Sequence, residues 1–300
     1  MKINNKVYSI SLLLVAAFWG FGFVASKEAL NSFPPFVLTS IRFTVSGLVL
    51  LIIFIKRFKN LTRKSLGSGI LLGFFLFLGF STQTVGLVYT TASKNAFITG
   101  LNVVIVPFLA WMIFKDKLEK ISVFSAILAF LGIFLLTWDG SSLLFNFGDT
   151  LTLFCALFFA MHIAFVGVFS KKYDPILLTI IQFLVTGFLA LICSIKFENF
   201  SEININNSLV SLGYLTFIST LLAFLLQNIA QKHTKPSQAA LILCTESLFG
   251  PLFSSLVLNE TLTIQMILGG AILFLSIIIC ETKLSFLPLP FRKENSNTSI

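Results

Sequence analysis

Apolar runs of the length that carries a helix across a bilayer, about 20 residues, follow one another along almost the whole chain. Separating them at their polar breaks gives ten spans, near 8–30, 35–55, 68–89, 94–115, 120–138, 148–170, 175–195, 208–231, 237–258 and 263–281. Prolines stand where several begin (Pro34 and Pro35, Pro175, Pro236), as suits a first helical turn. No break is long enough for a soluble domain. Only 11% of the residues are charged, against about a quarter in soluble proteins, and the mean hydropathy is +0.96. The lipid bilayer is the expected solvent. The N-terminus, MKINNKVYSISLLLVAAFWGFGFVAS, imitates a secretory signal, but its apolar stretch runs on to about Leu30. That length marks a retained first span. The expected fold is an all-α polytopic membrane protein of ten transmembrane helices.

Basic residues orient these spans. With a cytoplasmic N-terminus, seventeen of the 21 lysines and arginines fall on the cytoplasmic side. Lys27, Lys94 and Lys196 fall opposite, and Arg42 lies inside the second span, within snorkelling reach of the outer surface. Such a split is a strong positive-inside bias, and both termini are expected in the cytoplasm. The +9 net charge is thereby accounted for by lipid headgroups and membrane insertion, with no nucleic acid as partner.

The chain is also written twice. PFVLTSIRFTVSGLVLLI (35–52) lies over PILLTIIQFLVTGFLALI (175–192) with roughly half the positions identical, among them Pro35/Pro175, Thr39/Thr179, Phe43/Phe183 and Gly47/Gly187. Downstream, Gln83 falls on Gln227, Thr90 on Thr234, Ser93 on Ser237, Asn102 on Glu246 and Pro107 on Pro251. Chance likeness between apolar helices would not match prolines, glutamines and turn residues in order. Five helices per half is an odd number, so the second half enters the membrane inverted. Inverted repeats support alternating access with a site near the midplane. The division expected is 1–140 for the first repeat, 141–284 for the second and 285–300 for a cytoplasmic polar tail.

Four segments, WGFGFVASK, PPFVLTSIRF, SKNAFITGLNVVIVPFLAW and AALILCTESLFGPLFSSLVLNETLT, resemble in this order the EamA-type, ten-helix members of the drug/metabolite transporter superfamily. The resemblance spans essentially the whole chain in two copies. It implies a carrier of small metabolites in the bacterial inner membrane, often an exporter of amino acids or related compounds, with spans 1, 3, 4, 6, 8 and 9 around a central cavity. The turn after span 4 departs from the family's glycine-glutamate pair and reads Phe114-Lys115-Asp116; the second copy, Leu258-Asn259-Glu260, is closer.

Within the spans, Glu246 of TESLFGP is the most pointed feature. A charged carboxylate at mid-bilayer costs at least about 2.5–3.5 kcal/mol, so it stays protonated or finds a partner. It is a candidate to bind a substrate amine or carry a proton; the competing reading is a protonated glutamate that ties helices together. Pro251 and Pro107 free the carbonyls of Ser247 and Val103, beside Glu246 and its counterpart Asn102, which shares a helix face with Thr99. Gln83, and Gln227 with Asn228, either reach the substrate or hydrogen-bond between helices. His162 is a proton relay or a neutral buried histidine. Trp19 lies too deep for an interfacial belt and either walls the cavity or packs. The candidate substrate-binding set is therefore Trp19, Gln83, Thr99, Asn102, His162, Gln227, Asn228 and Glu246, with Glu246 and His162 as candidates for proton coupling.

Other classes fit less well. An intramembrane enzyme needs a nucleophile and base, a carboxylate pair or a metal cluster at depth. The sequence has two histidines, His233 in a loop, and no span with two deep carboxylates. A channel needs repeated filter residues. The four cysteines are scattered singly in apolar runs, without metal or disulfide spacing. No cofactor and no metal are expected; the partners are a small-molecule substrate, the lipid bilayer and, as a candidate coupling ion, the proton, in a monomer or homodimer. Single-cysteine labelling from outside whole cells tests the orientation. A cysteine near residue 62 is expected to stay protected and one near residue 145 to react; the reverse pattern would overturn the inverted arrangement.

Overall fold

The computed structural model describes residues 5–115, 120–137, 146–203, 208–234, 239 and 242–282. Helices α1 (Asn5–Ala29), α2 (Pro35–Ile53) and α3 (Arg63–Tyr89) are followed by α4 (Ala92–Thr99), α5 (Asn102–Phe114) and α6 (Lys120–Thr137). Then come α7 (Phe147–Lys172), α8 (Pro175–Phe197), α9 (Leu209–His233), α10 (Glu246–Val257) and α11 (Ile264–Thr282). No strand occurs among the described residues. Seven stretches are long and apolar enough to cross a membrane: α1 from Val7, α2, α3, Ala92–Ile113, α7, α8 and α9; shorter apolar stretches lie at Val123–Gly132 and Ile264–Ser276. The expected start of span 9 and the polar tail lie outside the described residues.

Large apolar side chains are plentiful on the outside, with Ile52, Val210 and Leu256 each at least 70% exposed, while Thr39, Asn95, His162 and Gln227 are buried. That inversion of the soluble pattern suits a bundle solvated by lipid.

Two regular spans of the sequence are irregular in the structure. Span 4 breaks at Gly100 and Leu101, dividing α4 from α5, and span 9 is in a turn at Cys244 and Thr245, immediately before α10. The breaks fall at corresponding positions of the two copies, so Asn102 and Glu246 each open a helix. A third irregularity lies in α9, where Tyr214–Leu222 is π-helical.

Other details recur between the copies. Lys115 and Asn259, the non-glycine residues with positive φ (61° and 53°) among those described, occupy the turn in which the resembled family carries glycine. Left-handed backbone explains that glycine. Ser46 Oγ donates to the carbonyl of Arg42 and, across to α9, that of Thr216 (2.8 Å). Its counterpart Thr186 Oγ1 donates to the carbonyl of Gln182 and, across to α3, that of Gly73 (3.0 Å).

Helices α2 and α8 pack against each other, as do α6 and α11, while α3 packs on α7 and α8, and α10 on α1 and α4. The α2–α8 seam is close. A Cβ on Gly187 would stand 2.8 Å from the backbone nitrogen of Thr44, and one on Gly47 would stand 2.9 Å from Leu184 Cδ2.

Carboxylates from the second half of the sequence close helix starts in the first. Glu198 accepts from the backbone N–H of Phe36 (2.6 Å) and Val37 (2.8 Å) at the start of α2. Glu260 accepts from the N–H of Ala92 (2.9 Å) and Ser93 (3.1 Å) at the start of α4. Thr91 Oγ1 takes the N–H of Lys94, so the first turn of α4 has partners for its otherwise orphaned donors. Burial pushes the Glu198 carboxyl above the ordinary range despite its two backbone bonds. Burial pushes Glu260 up as well, but the bonds from Ser93 and the backbone of Ala92 and Ser93 outweigh it and hold that carboxyl below the usual value.

Two tests come from this packing. Gly187→Ala should destabilise the detergent-solubilised protein by about 1–3 kcal/mol, the usual cost of overpacking. Gly67→Ala, whose Cβ meets nothing within 4 Å, should be neutral or slightly stabilising in a thermal-unfolding assay. Because the folded pKa of Glu260 is lowered, its contribution is complete above the ordinary glutamate range and is lost as pH falls through the folded value. Wild type should therefore exceed Glu260→Gln by about 0.5–2 kcal/mol at neutral pH, and the two melting curves should converge on acidification; a constant gap would overturn the cap.

Candidate functional site

The two helix breaks meet at an internal cavity bordered by residues of α1, α2, α3, α5, α7, α9 and α10. Six of the eight candidate residues line it: Trp19, Gln83, Asn102, His162, Gln227 and Glu246. Thr99 stands one hydrogen bond behind, its Oγ1 accepting from Gln83 Nε2 at 3.3 Å. Asn228 belongs to a helix interface instead. Its Nδ2 donates to Thr179 Oγ1 of α8 at 2.6 Å.

Several lining side chains are held by identifiable neighbours. Trp19 directs its indole N–H to the carbonyl of Ser219, 3.0 Å away in the π-helical stretch, and its rings tilt against Phe224. A π-helical turn widens the ladder and leaves carbonyls for such outside donors. His162 is buried, with Nε2 2.7 Å from Gln182 Oε1. The amide oxygen accepts, so Nε2 carries a proton. Gln182 was not singled out in the sequence, though it occupies the position of Arg42 in the second copy. Gln227 is 1% exposed, and neither atom of its amide has a hydrogen-bond partner among the described residues.

Glu246 is 6% exposed at the first position of α10. It makes no ion pair with a described residue. The partial positive charge of a helix start favours a carboxylate there, and Asn102 stands at the matching start of α5 on the same cavity. Asn102 and Glu246 thus bring two helix starts to one space. Proline chemistry marked this neighbourhood in the sequence, but Pro107 and Pro251 lie inside α5 and α10, five residues after the side chains that open them. Cys244 packs in an apolar cluster with Phe97 and Leu101.

Arg42 corrects the reading of a snorkelling surface residue. It is 3% exposed and lines the cavity. Its Nε donates to Thr220 Oγ1 at 2.8 Å, and its guanidinium carbon lies 4.7 Å from the Phe80 ring centroid. Depth along the helix was legible from the sequence. The direction of the side chain was not, because it depends on the hydroxyls of α9, far along the chain.

Such a cavity can receive a small polar molecule and surround it with donors, acceptors, a guanidinium and a carboxyl group. Comparison with known proteins supplies the wider setting. A family model described as the EamA-like transporter family matches twice, over residues 7–138 and 146–281. The chain belongs to this family. An uncharacterized transporter of Archaeoglobus fulgidus is 37% identical, with 93% of this chain and 87% of that protein aligned. The uncharacterized transporter YvbV of Bacillus subtilis is 25% identical, with 92% of each chain covered. A solved structure titled "Crystal structure of protein" superposes with a TM-score of 0.69 at 15% identity, covering 95% of this chain and 99% of that one. That likeness concerns the fold alone. Together these place the chain among multi-pass membrane transporters.

Proposed function

We propose that this EamA-like protein is a secondary transporter that moves small metabolites, amino acids or related amines, across the bacterial inner membrane by alternating access, in the direction of export. The observation that carries the reading is the cavity where Asn102 and Glu246 open their helices. Broken helices at a central site are how transporters expose backbone groups to a substrate without exposing them to lipid. Ten spans in two inverted repeats, with both termini cytoplasmic, form the frame. The twofold family match, the recurrent Ser46 and Thr186 bonds and the paired positive-φ turns support it. The resemblance noted in the sequence favours export.

In this reading Trp19, Gln83, Asn102, His162, Gln227 and Glu246 contact substrate, Thr99 positions Gln83, and Asn228 steadies α9. Glu246 accepts an ammonium group or a proton, and His162 is the second group able to exchange one.

Transport of labelled amino acids and small amines into proteoliposomes tests the proposal. Glu246→Gln keeps size and hydrogen bonding but cannot titrate, while Glu246→Ala loses both. Both variants should insert normally and lose at least tenfold in flux. Steep pH dependence that the Gln variant abolishes would assign a proton, and its absence an ammonium group. Wild-type flux in Glu246→Gln, with a lowered melting temperature for Glu246→Ala, would make the residue a packing element.

A further inference from the structure

We propose that Arg42 is an anion-binding group of the central cavity and that its ligand is a carboxylate of the transported molecule; this rests on the transporter reading above. The guanidinium is buried. The ion pairs among the described residues are Arg57–Asp174 and Lys94–Asp149, so no described carboxylate lies within 4.0 Å of it. An arginine cannot escape burial by deprotonating, and an uncompensated buried charge costs several kcal/mol. Yet Arg42 borders a cavity and is not sealed in packing. The missing counter-charge has a place to come from.

Its surroundings orient the group without neutralising it. Nε is held by Thr220 Oγ1 at 2.8 Å, and Nη2 has only a long contact of 3.4 Å to Ser219 Oγ. Both hydroxyls lie in the π-helical stretch of α9, and the Trp19 indole fixes the Ser219 carbonyl there. The rings of Phe80 and Phe43 lie 4.7 and 5.4 Å from the guanidinium carbon. Of five N–H donors, most remain for a ligand, in the planar fork that matches two carboxylate oxygens.

Gln227 supplies the independent observation. It lines the same cavity with a buried amide whose two polar atoms lack partners among the described residues. Buried polar groups are seldom left so, and its NH2 offers a further donor to an oxyanion. Phosphate fits less well than carboxylate. Arg42 is the only lysine or arginine among the described lining residues, and Glu246 shares the space, so a dianion would meet one positive charge and one carboxyl group.

The experiment uses the full chain in lipid nanodiscs, with acetate as the probe and choline as the common cation. Thermal unfolding is followed against choline acetate and choline chloride at equal ionic strength. Wild type should gain melting temperature saturably with acetate, as a ligand of the native state requires, and should not with chloride. Arg42→Gln should abolish the acetate shift. Arg42→Lys, which keeps the charge but not the fork, should need at least tenfold more acetate for the same shift. The assignment is overturned if acetate and chloride act alike on wild type, or if either variant responds as wild type does. Should Arg42→Gln not fold, the comparison of Arg42→Lys with wild type decides alone. Failure of the transporter reading would appear separately, as absent flux in proteoliposomes with the acetate shift intact.

Discussion

In hydrocarbon an unpaired amide or carbonyl finds no water, and each one left unsatisfied costs several kcal/mol. This constraint governs where the bundle can be irregular. The breaks at Gly100–Leu101 and Cys244–Thr245 are followed at once by Asn102 and Glu246, which line one cavity with Ser219 of the π-helical turn of α9. Side chains take up much of what the backbone gives away. Trp19 serves the Ser219 carbonyl, Ser46 that of Thr216, Ser247 that of Cys244 and Thr245 that of Ile242. The site is therefore made from the same departures from helical order that lipid forbids elsewhere.

The doubled sequence supplies a frame, and divergence between its copies supplies chemistry. Asn102 and Glu246 occupy matching helix starts, one neutral and one acidic. Arg42 and Gln182 occupy matching positions on α2 and α8; one brings a positive charge to the cavity, the other steadies His162. A symmetric pair of charges would repel across so small a space, whereas this divergence leaves one guanidinium, one carboxyl group and neutral amides.

Much of this was legible in the sequence because spanning length and repeat register are local properties. The runs that became α2, α3, α7 and α8 could be placed within a few residues, and Trp19, Asn102, His162 and Glu246 could be gathered from repeat position and depth. Long-range pairing was hidden. Asn228 turned to Thr179 although its neighbour Gln227 faces the cavity, a difference of one residue that fixes helix face and that no apolar periodicity resolves in a span greasy on all sides. Arg42 was hidden for the same reason: its partners lie 177 and 178 residues away. The helix breaks left a fainter trace in Gly100 and the prolines downstream, because proline marks a weak ladder and not the position where it opens.

The carboxylate caps have a consequence for how the chain is made. Phe36 waits for Glu198, 162 residues later, and Ala92 for Glu260, 168 residues later. At a ribosomal rate of about 5–20 residues per second, the starts of α2 and α4 stand open for roughly 8–34 s after they emerge. During that interval the nascent first half must find substitutes for those bonds in water, headgroups or the insertion machinery. A chain stopped near residue 140 would lack both carboxylates and keep two helix starts permanently unfinished, so the halves, however alike in sequence, mature together.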